Sequence, residues 1–257
     1  MIEQPKHLVS IITPTFNSAQ YIDQCIASVL SQTYTNWELI ITDDFSQDNT
    51  IDIIQKYVDS DSRIKLFSLS KNGGPGVARN NSIKNANGSF IAFLDSDDQW
   101  MSTKLEKQLN FMLMHDLALS YTSYDVIDDE EGTVIRTVIA KGEVTIGDML
   151  KSNYIGCSTA IYNVDKLGKV YMPLIRKRQD YGLWIEIIKK TKVTKGLKES
   201  LTKYMVRGNS VSSNKFKLIS YQWEFYNDVL GLNFFMSVRS IIYWFVYSLL
   251  GIKNKGK

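Results

Sequence analysis

The chain contains few of the residues that mark disulfide scaffolds and metal-binding modules. Its 257 residues include only two cysteines and two histidines. Cys25 and Cys157 do not have the spacing of a metal-ligand pair, and so few cysteines favour a reducing compartment over a disulfide framework. The histidines, His7 and His115, lie outside every motif described below, and we interpret both as structural.

Other absences narrow the range of partners and locations. The net charge of +3 is too small to indicate a nucleic-acid partner, and residues 1–200 contain no basic block interleaved with aromatic residues. Residues 1–6 lack the apolar core of a signal peptide. We therefore expect no nucleic acid as partner and expect the active part of the chain to stay in the cytosol.

The first half of the chain alternates between strand and helix patterns. Hydrophobic residues make up 44% of the chain and charged residues 22%, which is typical of a soluble protein with a sizeable core. The alternation predicts an α/β fold, with a mostly parallel sheet covered by helices on both faces. Strands are predicted at residues 8–13, 37–42, 64–69 and 90–94, and helices at residues 21–30, 50–58 (with Asn49 as N-cap) and 77–86.

The pattern changes after residue 117. Residues 119–127 and 133–139 flank an acidic Gly-containing turn and predict a hairpin. A short strand is predicted at residues 157–162 and a helix at residues 181–190. Because there is no repeat or clear linker, we expect one mixed domain over residues 1–215, followed by a helical tail over residues 216–257.

An acidic cluster follows the predicted strand at residues 90–94. Asp95, Asp97 and Asp98 lie within four residues, and their like charges repel. A hard cation such as Mg²⁺ or Mn²⁺, bridging carboxylates to substrate phosphates, would neutralise them. The alternative is a solvated acidic turn that caps the next helix.

Polar residues follow three predicted strands: residues 14–17, Asp43 with Asp44, and the acidic cluster. In doubly wound sheets, ligands bind beyond the carboxyl ends of the strands. We therefore expect one pocket to collect all three groups.

The tail is apolar and rich in aromatic residues. Arg239 is the only charged residue in residues 229–252, and the uncharged run at 240–252 is too short to span a bilayer. On a helix, one face would carry Phe234, Val238, Ile241, Phe245 and Leu249, with serines roughly opposite. Such an amphipathic helix would lie in a membrane surface, with Lys253, Lys255 and Lys257 near anionic headgroups. The alternative is a helix packed on the domain or on a second subunit.

A family resemblance enters through motifs in a fixed order. It covers about residues 7–190. Six segments with ordinary spacing resemble those of family 2 glycosyltransferases: residues 9–17 (VSIITPTFN), 28–33 (SVLSQT), 43–50 (DDFSQDNT), 72–80 (NGGPGVARN), 95–98 (DSDD) and 179–184 (QDYGLW).

The resemblance implies a GT-A fold, which is Rossmann-like, and a UDP-sugar donor. Asp44 matches the carboxylate that accepts the N3–H of uracil, and Arg79 matches a basic residue near the nucleotide. Asp97 matches the metal ligand, for Mn²⁺ or Mg²⁺, with Asp98 in support. The other residues expected at the nucleotide sugar are Pro14, Thr15, Phe16, Asn17, Asp95 and Ser96.

Asp180 matches the catalytic base of the family. An inverting transfer needs a base opposite the leaving group to deprotonate the acceptor hydroxyl.

Each of these residues also has an alternative, structural interpretation. Asp180 would complement a helix dipole, Asp44 would close an Asx-type turn, and Arg79 would lie on a solvated helix face. Trp100 and Trp184 are expected either as walls of an acceptor site or in the core.

The chain departs from the family pattern at two positions. Gln179 stands where relatives commonly carry glutamate, which removes a negative charge beside Asp180. Residues 207–212 replace a loop that often contains histidine, so Arg207 would contact phosphate instead.

We therefore expect an inverting, metal-dependent hexosyltransferase of bacterial surface-polysaccharide assembly. The expected donor is UDP-glucose or UDP-galactose, and the expected acceptor is a sugar on undecaprenyl diphosphate, with a β-1,3 bond to GlcNAc as the specific expectation. Its expected location is the cytoplasm or, as a peripheral protein, the cytoplasmic face of the inner membrane. Gln179 leaves open a non-catalytic nucleotide-sugar-binding subunit. A nucleotidyltransferase is disfavoured, because residues 14–17 are neither Gly-rich nor basic.

Overall fold

A computed structural model of the chain describes residues 7–175, 177–206 and 221–249. The expected domain boundary at residues 215–216, the loop at 207–212 with Arg207, and the C-terminal lysines lie outside these ranges. The strands are β1 (Val9–Thr15), β2 (Trp37–Asp43), β3 (Ile64–Ser68), β4 (Phe90–Phe93), β5 (Gln99–Trp100), β6 (Leu119–Asp128), β7 (Val134–Val138), β8 (Glu143–Thr145), β9 (Ile161–Asn163) and β10 (Val193–Val206). The helices are α1 (Ile22–Leu30), α2 (Thr50–Ser60), α3 (Pro75–Asn85), α4 (Lys104–Met114), α5 (Ile146–Met149), α6 (Val164–Leu167), α7 (Gln179–Thr191) and α8 (Phe234–Leu249).

The described strands form one mixed sheet in the order β3-β2-β1-β4-β9-β6-β10-β5, with β7 beside β6 and β8 beside β10. The longest pairings, β1 with β2 and β6 with β10, are parallel. Val9 at the start of β1 lies opposite Trp37 of β2 and Phe90 of β4. The carboxyl ends of β1, β2 and β4 therefore meet at one edge, which confirms the predicted mostly parallel sheet.

Helices cover both faces of the sheet. Successive side chains of a strand point to opposite faces. Ile11 accordingly packs in one apolar cluster with α1, α2 and α4, and Ile12 packs in the other with α3 and α7. Cys25 lies in the first cluster, as its position on the apolar side of a helix predicts.

Two local predictions need correction. Residues 157–162 are not one strand, because Cys157–Thr159 forms a 3₁₀ turn and β9 begins only at Ile161. Asn49 occupies the N-cap position of α2, but its side chain makes no capping hydrogen bond. The side chain of Asp48 supplies a hydrogen bond to the start of the helix instead, since its Oδ1 accepts the Thr50 N–H at 3.0 Å.

The tail packs on the domain with its serine side. Phe225 stacks on Tyr181 of α7 with ring centroids 4.6 Å apart. In α8, Ser237 and Ser240 are buried, whereas Phe235 is 82% exposed. The predicted apolar face is therefore divided, because Ile241 packs against the core while Phe234 and Phe245 are exposed. The side that touches the protein carries Ser237, Ser240 and Ile241. No helix within the described residues is both long and apolar enough to cross a bilayer.

Candidate functional site

A cleft of about 740 Å³ opens where β1, β2 and β4 end. The loop at residues 72–77 forms one wall, and Leu174, Ile175 and Gln179 form another. All residues expected at the nucleotide sugar and its metal line this cleft: Pro14, Thr15, Phe16, Asn17, Asp44, Arg79, Asp95, Ser96 and Asp97.

Asp44 organises the cleft through the backbone of the glycine loop. Its two carboxylate oxygens accept the N–H groups of Gly73 and Gly74, each at 2.7 Å. It is Asp43 that closes the local turn, since its Oδ2 accepts the Ser46 N–H at 2.8 Å. The Asx-turn alternative therefore describes Asp43 and not Asp44. A carboxylate has lone pairs beyond these two bonds, so Asp44 can accept a further N–H from a ligand.

The loop after β1 is fixed by hydrogen bonds to the turn after β2. The Asn17 N–H donates to Ser46 Oγ at 2.9 Å, and Asn17 Oδ1 accepts the Gln47 N–H at 2.8 Å. Asn17 and Phe45 both have positive φ, at 47° and 70°. Asparagine tolerates this conformation, whereas it strains a phenylalanine.

The acidic cluster divides its carboxylates among three environments. Arg79 is buried and donates to Asp95 Oδ1 at 2.5 Å, so it does not lie on a solvated helix face. Burial alone would lower the pKa of Arg79, but Asp95 reverses the effect and raises it. Asp97 lines the cleft.

Asp98 lies outside this cleft and lines the second cavity described below. Its carboxylate accepts Ser158 Oγ–H at 2.5 Å and the Met205 N–H at 3.2 Å. Burial, followed by the charges of Asp95 and Asp97, raises its pKa well above the ordinary value. Asp98 and Asp43 are thus the two acidic residues that the expected common pocket does not collect.

The donor set at the cleft fits a divalent ion that is shared with a substrate. Within the part of the chain that the structure describes, no three His, Cys, Asp or Glu side chains are grouped to hold a metal. Mg²⁺ is often held by one or two carboxylates together with substrate phosphates. Asp97, with Asp95 beside it, meets that requirement and would hold such an ion only when a diphosphate completes the ligands.

A second cavity, of about 330 Å³, adjoins the first. Four residues line both cavities and form the wall between them: Pro75, Arg79, Asp95 and Gln179. The far side of the second cavity carries the rings of Tyr124 and Tyr204, whose centroids are 5.9 Å apart.

Asp180 belongs to the second cavity. It is the second residue of α7 and lines this cavity, beside the wall shared with the first. Asn153 Nδ2 donates to Asp180 Oδ2 at 3.4 Å. Asn153 Oδ1 accepts the Ile155 N–H at 3.1 Å, so the amide is oriented with its donor toward Asp180.

Both tryptophans of the acceptor-wall hypothesis belong to the core. Trp100 is buried and donates its indole N–H to the Ser158 carbonyl at 2.7 Å. Trp184 packs edge-on against Phe93, with centroids 5.3 Å apart. The aromatic wall consists instead of tyrosines that no sequence motif singles out, because strand pairing alone brings them to the cavity.

Comparison with known proteins places these cavities in a family context. The sequence model described as glycosyl transferase family 2 matches residues 10–171. A Bacillus subtilis (strain 168) protein named as a teichuronic acid biosynthesis glycosyltransferase, TuaG, is 41% identical over 229 residues, which cover 89% of this chain and 91% of that protein. The Escherichia coli UDP-Glc:alpha-D-GlcNAc-diphosphoundecaprenol beta-1,3-glucosyltransferase WfgD is 39% identical over 249 residues, which cover 96% of this chain and 95% of that protein.

Solved structures agree on the fold. The structure of S. aureus TarS 1–349 in complex with UDP has a TM-score of 0.70 at 22% identity, over 93% of this chain and 71% of that chain. The mannosyltransferase PcManGT from Pyrobaculum calidifontis, in complex with GDP-Man and Mn²⁺, has a TM-score of 0.61 at 14% identity, over 95% of this chain and 70% of that chain. At these identities the likeness concerns the fold alone.

Proposed function

Because the chain belongs to glycosyl transferase family 2, we propose that it transfers a hexose from a UDP-sugar to a lipid-linked sugar, with inversion at the anomeric carbon. The observation that carries the proposal is the pair of adjoining cavities. Asp44 and Asp97 line one, Asp180 lines the other, and Arg79, Asp95 and Gln179 stand between them. Because the cavities adjoin, a donor sugar in the first and an acceptor hydroxyl in the second would lie close together, near Asp180.

In the proposed reaction Asp180 acts as the general base. It accepts the proton of the acceptor hydroxyl while that oxygen attacks the anomeric carbon. The bond between the anomeric carbon and the β-phosphate oxygen breaks, and UDP leaves with the electron pair. A Mn²⁺ or Mg²⁺ ion at Asp97 would stabilise the charge on the departing diphosphate. Asp95, held by Arg79, would support that site.

The second cavity is the proposed site for the acceptor sugar. Tyr124 and Tyr204 offer apolar ring faces beside polar groups, which suits a sugar ring. The relatives support the choice of substrates, since two E. coli proteins, WfgD and WfaP, are named as glucosyltransferases acting on GlcNAc-diphosphoundecaprenol. We therefore infer UDP-glucose or UDP-galactose as donor, undecaprenyl diphosphate-linked GlcNAc as acceptor, and a β-1,3 bond in O-antigen or capsule synthesis.

Such an acceptor lies in a membrane, so we infer a peripheral enzyme at the cytoplasmic face of the bacterial inner membrane. The exposed side of α8 supports this location. Phe234, Phe235 and Ile242 stand on it, more than half exposed, while the serine side of the helix is buried. Ser237, Ser240 and Ile241 account for the packing on the domain, and the exposed apolar residues remain for the membrane surface.

The test is transfer by the purified protein from a panel of UDP-sugars to synthetic diphospholipid acceptors, followed by mass spectrometry. We expect a glycosylated lipid with the wild type. Asp180→Asn should abolish transfer while UDP binding stays nearly intact, and Asp97→Ala should weaken metal-dependent UDP binding. Turnover of Asp180→Asn at the wild-type rate would exclude this base. UDP binding without transfer to any acceptor would favour the non-catalytic subunit that Gln179 leaves open.

A further inference from the structure

A half-buried cation, Arg178, lies directly before the helix that carries Asp180. Its backbone has φ 68° and ψ 27°, in the left-handed region, which costs a non-glycine residue roughly 1 kcal/mol. The guanidinium forms no hydrogen bond or ion pair with any described residue, and its Cζ lies 5.6 Å from the ring centroid of Trp244 in α8.

This arrangement is costly for folding alone. Removing a cation from water without a carboxylate partner is unfavourable. Burial accordingly lowers the pKa of Arg178, while its neighbours Tyr181, Tyr226 and Asp180 act in the opposite direction. Arginine stays charged even so, and its planar set of donors suits phosphate oxygens. The missing partner of Arg178 is therefore expected to be an anion from outside the described chain.

The surroundings indicate which anion. Asp180, two residues along the chain, is close enough to counteract the lowering of the Arg178 pKa by burial, and it lines the proposed acceptor cavity. Trp244, beside the guanidinium, belongs to α8, the helix with the exposed apolar residues. Lys177 is exposed beside it, with its ammonium 5.1 Å from the ring centroid of Tyr221. Arg178 is therefore near both the proposed base and the apolar helix.

In a polyprenyl diphosphate sugar the diphosphate likewise lies between the reacting sugar and the hydrocarbon chain. We propose that Arg178, assisted by Lys177, binds the diphosphate of the lipid-linked acceptor. This inference rests on the proposed function, because it assigns the part of the acceptor that lies between the sugar and the membrane.

The first experiment measures binding without turnover. Farnesyl diphosphate and farnesol are titrated calorimetrically into the full chain with UDP and Mg²⁺ at saturation, so that the donor site is occupied. We expect farnesyl diphosphate to bind more tightly than farnesol. Arg178→Asn, which removes the cation but tolerates positive φ, should weaken the diphosphate roughly 10- to 100-fold, as a charged hydrogen bond predicts.

Lys192→Asn is the matched control. Lys192 is exposed at the other end of α7, also with positive φ, and should leave binding unchanged. Equal affinity of the wild type for the two probes, or of Arg178→Asn and the wild type for the diphosphate, would overturn the inference. Because this assay needs no transfer, it can fail or succeed independently of the proposed function.

The second experiment separates the acceptor from membrane headgroups, which offer the same phosphate chemistry. With a short-chain acceptor in detergent, Arg178→Asn should lower kcat/KM roughly 10- to 100-fold. With the same sugar on a neutral aglycone, it should change little. Equal losses with both acceptors would show a structural role. A loss confined to binding of phosphatidylglycerol vesicles, with kcat/KM for the detergent-solubilised acceptor unchanged, would assign Arg178 to headgroups instead.

Discussion

Asn153 is the residue whose part in the site only the tertiary structure reveals. It lies in a loop without a recognisable motif, and its amide is oriented by Ile155 so that Nδ2 faces Asp180. A hydrogen bond to a charged group contributes about 1.5–3 kcal/mol, and this bond, at 3.4 Å, belongs at the lower end of that range. Such a bond would hold the proposed base in one position while a substrate arrives.

We predict that Asn153→Ala lowers kcat roughly 10-fold or more, with little change in KM for the donor. Asn153→Asp keeps the acceptor for the Ile155 N–H but loses the donor to Asp180. It should therefore be at least as impaired as Asn153→Ala. Steady-state kinetics on both variants tests this, and recovery of activity in Asn153→Asp would show that only the bond to Ile155 matters.

Phe45 is a single residue at which the chain differs from the family motif that it otherwise resembles. The family turn resembles DDGS, and this chain places phenylalanine where that pattern has glycine. The structure gives Phe45 a φ of 70°, in the region that glycine adopts without strain.

We predict that Phe45→Gly raises the free energy of unfolding by about 1 kcal/mol, because the left-handed strain is removed. Thermal unfolding should show a higher midpoint, by ~2–4 °C for a protein of this size. Phe16→Gly is the control, since Phe16 is similarly exposed (47% against 46%) but does not have positive φ. A lower midpoint for Phe45→Gly would mean that the ring contributes more stability than its backbone costs.

At the scale of elements, α4 carries a buried charge into the core. Lys104 is fully buried, its ammonium donates to Gln108 Oε1 at 2.7 Å, and it lies 4.3 Å from the centroid of the Trp100 ring. Burial lowers the pKa of Lys104 well below its ordinary value. The folded state thus holds this proton less tightly than the unfolded chain does. Between the folded and the ordinary pKa, stability therefore rises with pH.

We predict that the stability of Lys104→Met relative to the wild type is greatest at low pH. The difference should shrink as the pH rises toward the ordinary lysine pKa of about 10.4. Urea unfolding across this range measures it. Lys107→Met, one turn along the same helix, is the matched control, because it removes a lysine that is exposed rather than buried. If the free energies of unfolding of Lys104→Met and the wild type differed by the same amount at every pH, the prediction would be wrong.

The tail helix α8 shows what a sequence pattern leaves undetermined about an element, namely which of its sides packs on the domain. Its period predicts a serine side and an apolar side, but the side that meets the domain carries both serines and Ile241. Small side chains allow a helix to approach closely, and Ser237 satisfies its hydroxyl by donating to the Leu232 carbonyl at 3.2 Å. The bulky side chains of Phe234 and Phe245 are consequently left at the surface.

At the scale of the whole molecule, this exposed side determines where the protein is expected to work. We predict that Phe234→Ser with Phe235→Ser lowers affinity for anionic vesicles at least 10-fold, because burying each phenylalanine contributes roughly 1.5–3 kcal/mol. Met114→Ser, at a site that is 79% exposed on α4, is the control. Vesicle sedimentation measures binding. Unchanged sedimentation, with a shift from dimer to monomer in light scattering, would assign the α8 surface to a protein contact.

The sequence by itself determined the fold class, the order of strands and helices in the first half, and the family. These follow from local signals: alternating apolar periods, breakers between them, and acidic or polar residues directly after strands. Because parallel strands bring their carboxyl ends to one edge, the order of strands along the chain is enough to group the cleft residues from Pro14 to Asp97.

Only the tertiary structure decided which cavity each of these side chains lines and which groups it contacts. The resemblance had singled out Asp44 and Asp97, and the structure shows what their neighbours do: Asp43 closes the turn after β2, and Asp98 lines the second cavity. Asn153, Tyr124 and Tyr204 reach the second cavity through pairings between segments distant in sequence. The surroundings of Arg178 are likewise a property of the tertiary structure: among the described residues its guanidinium has Trp244 beside it and no ion pair, which no linear pattern predicts.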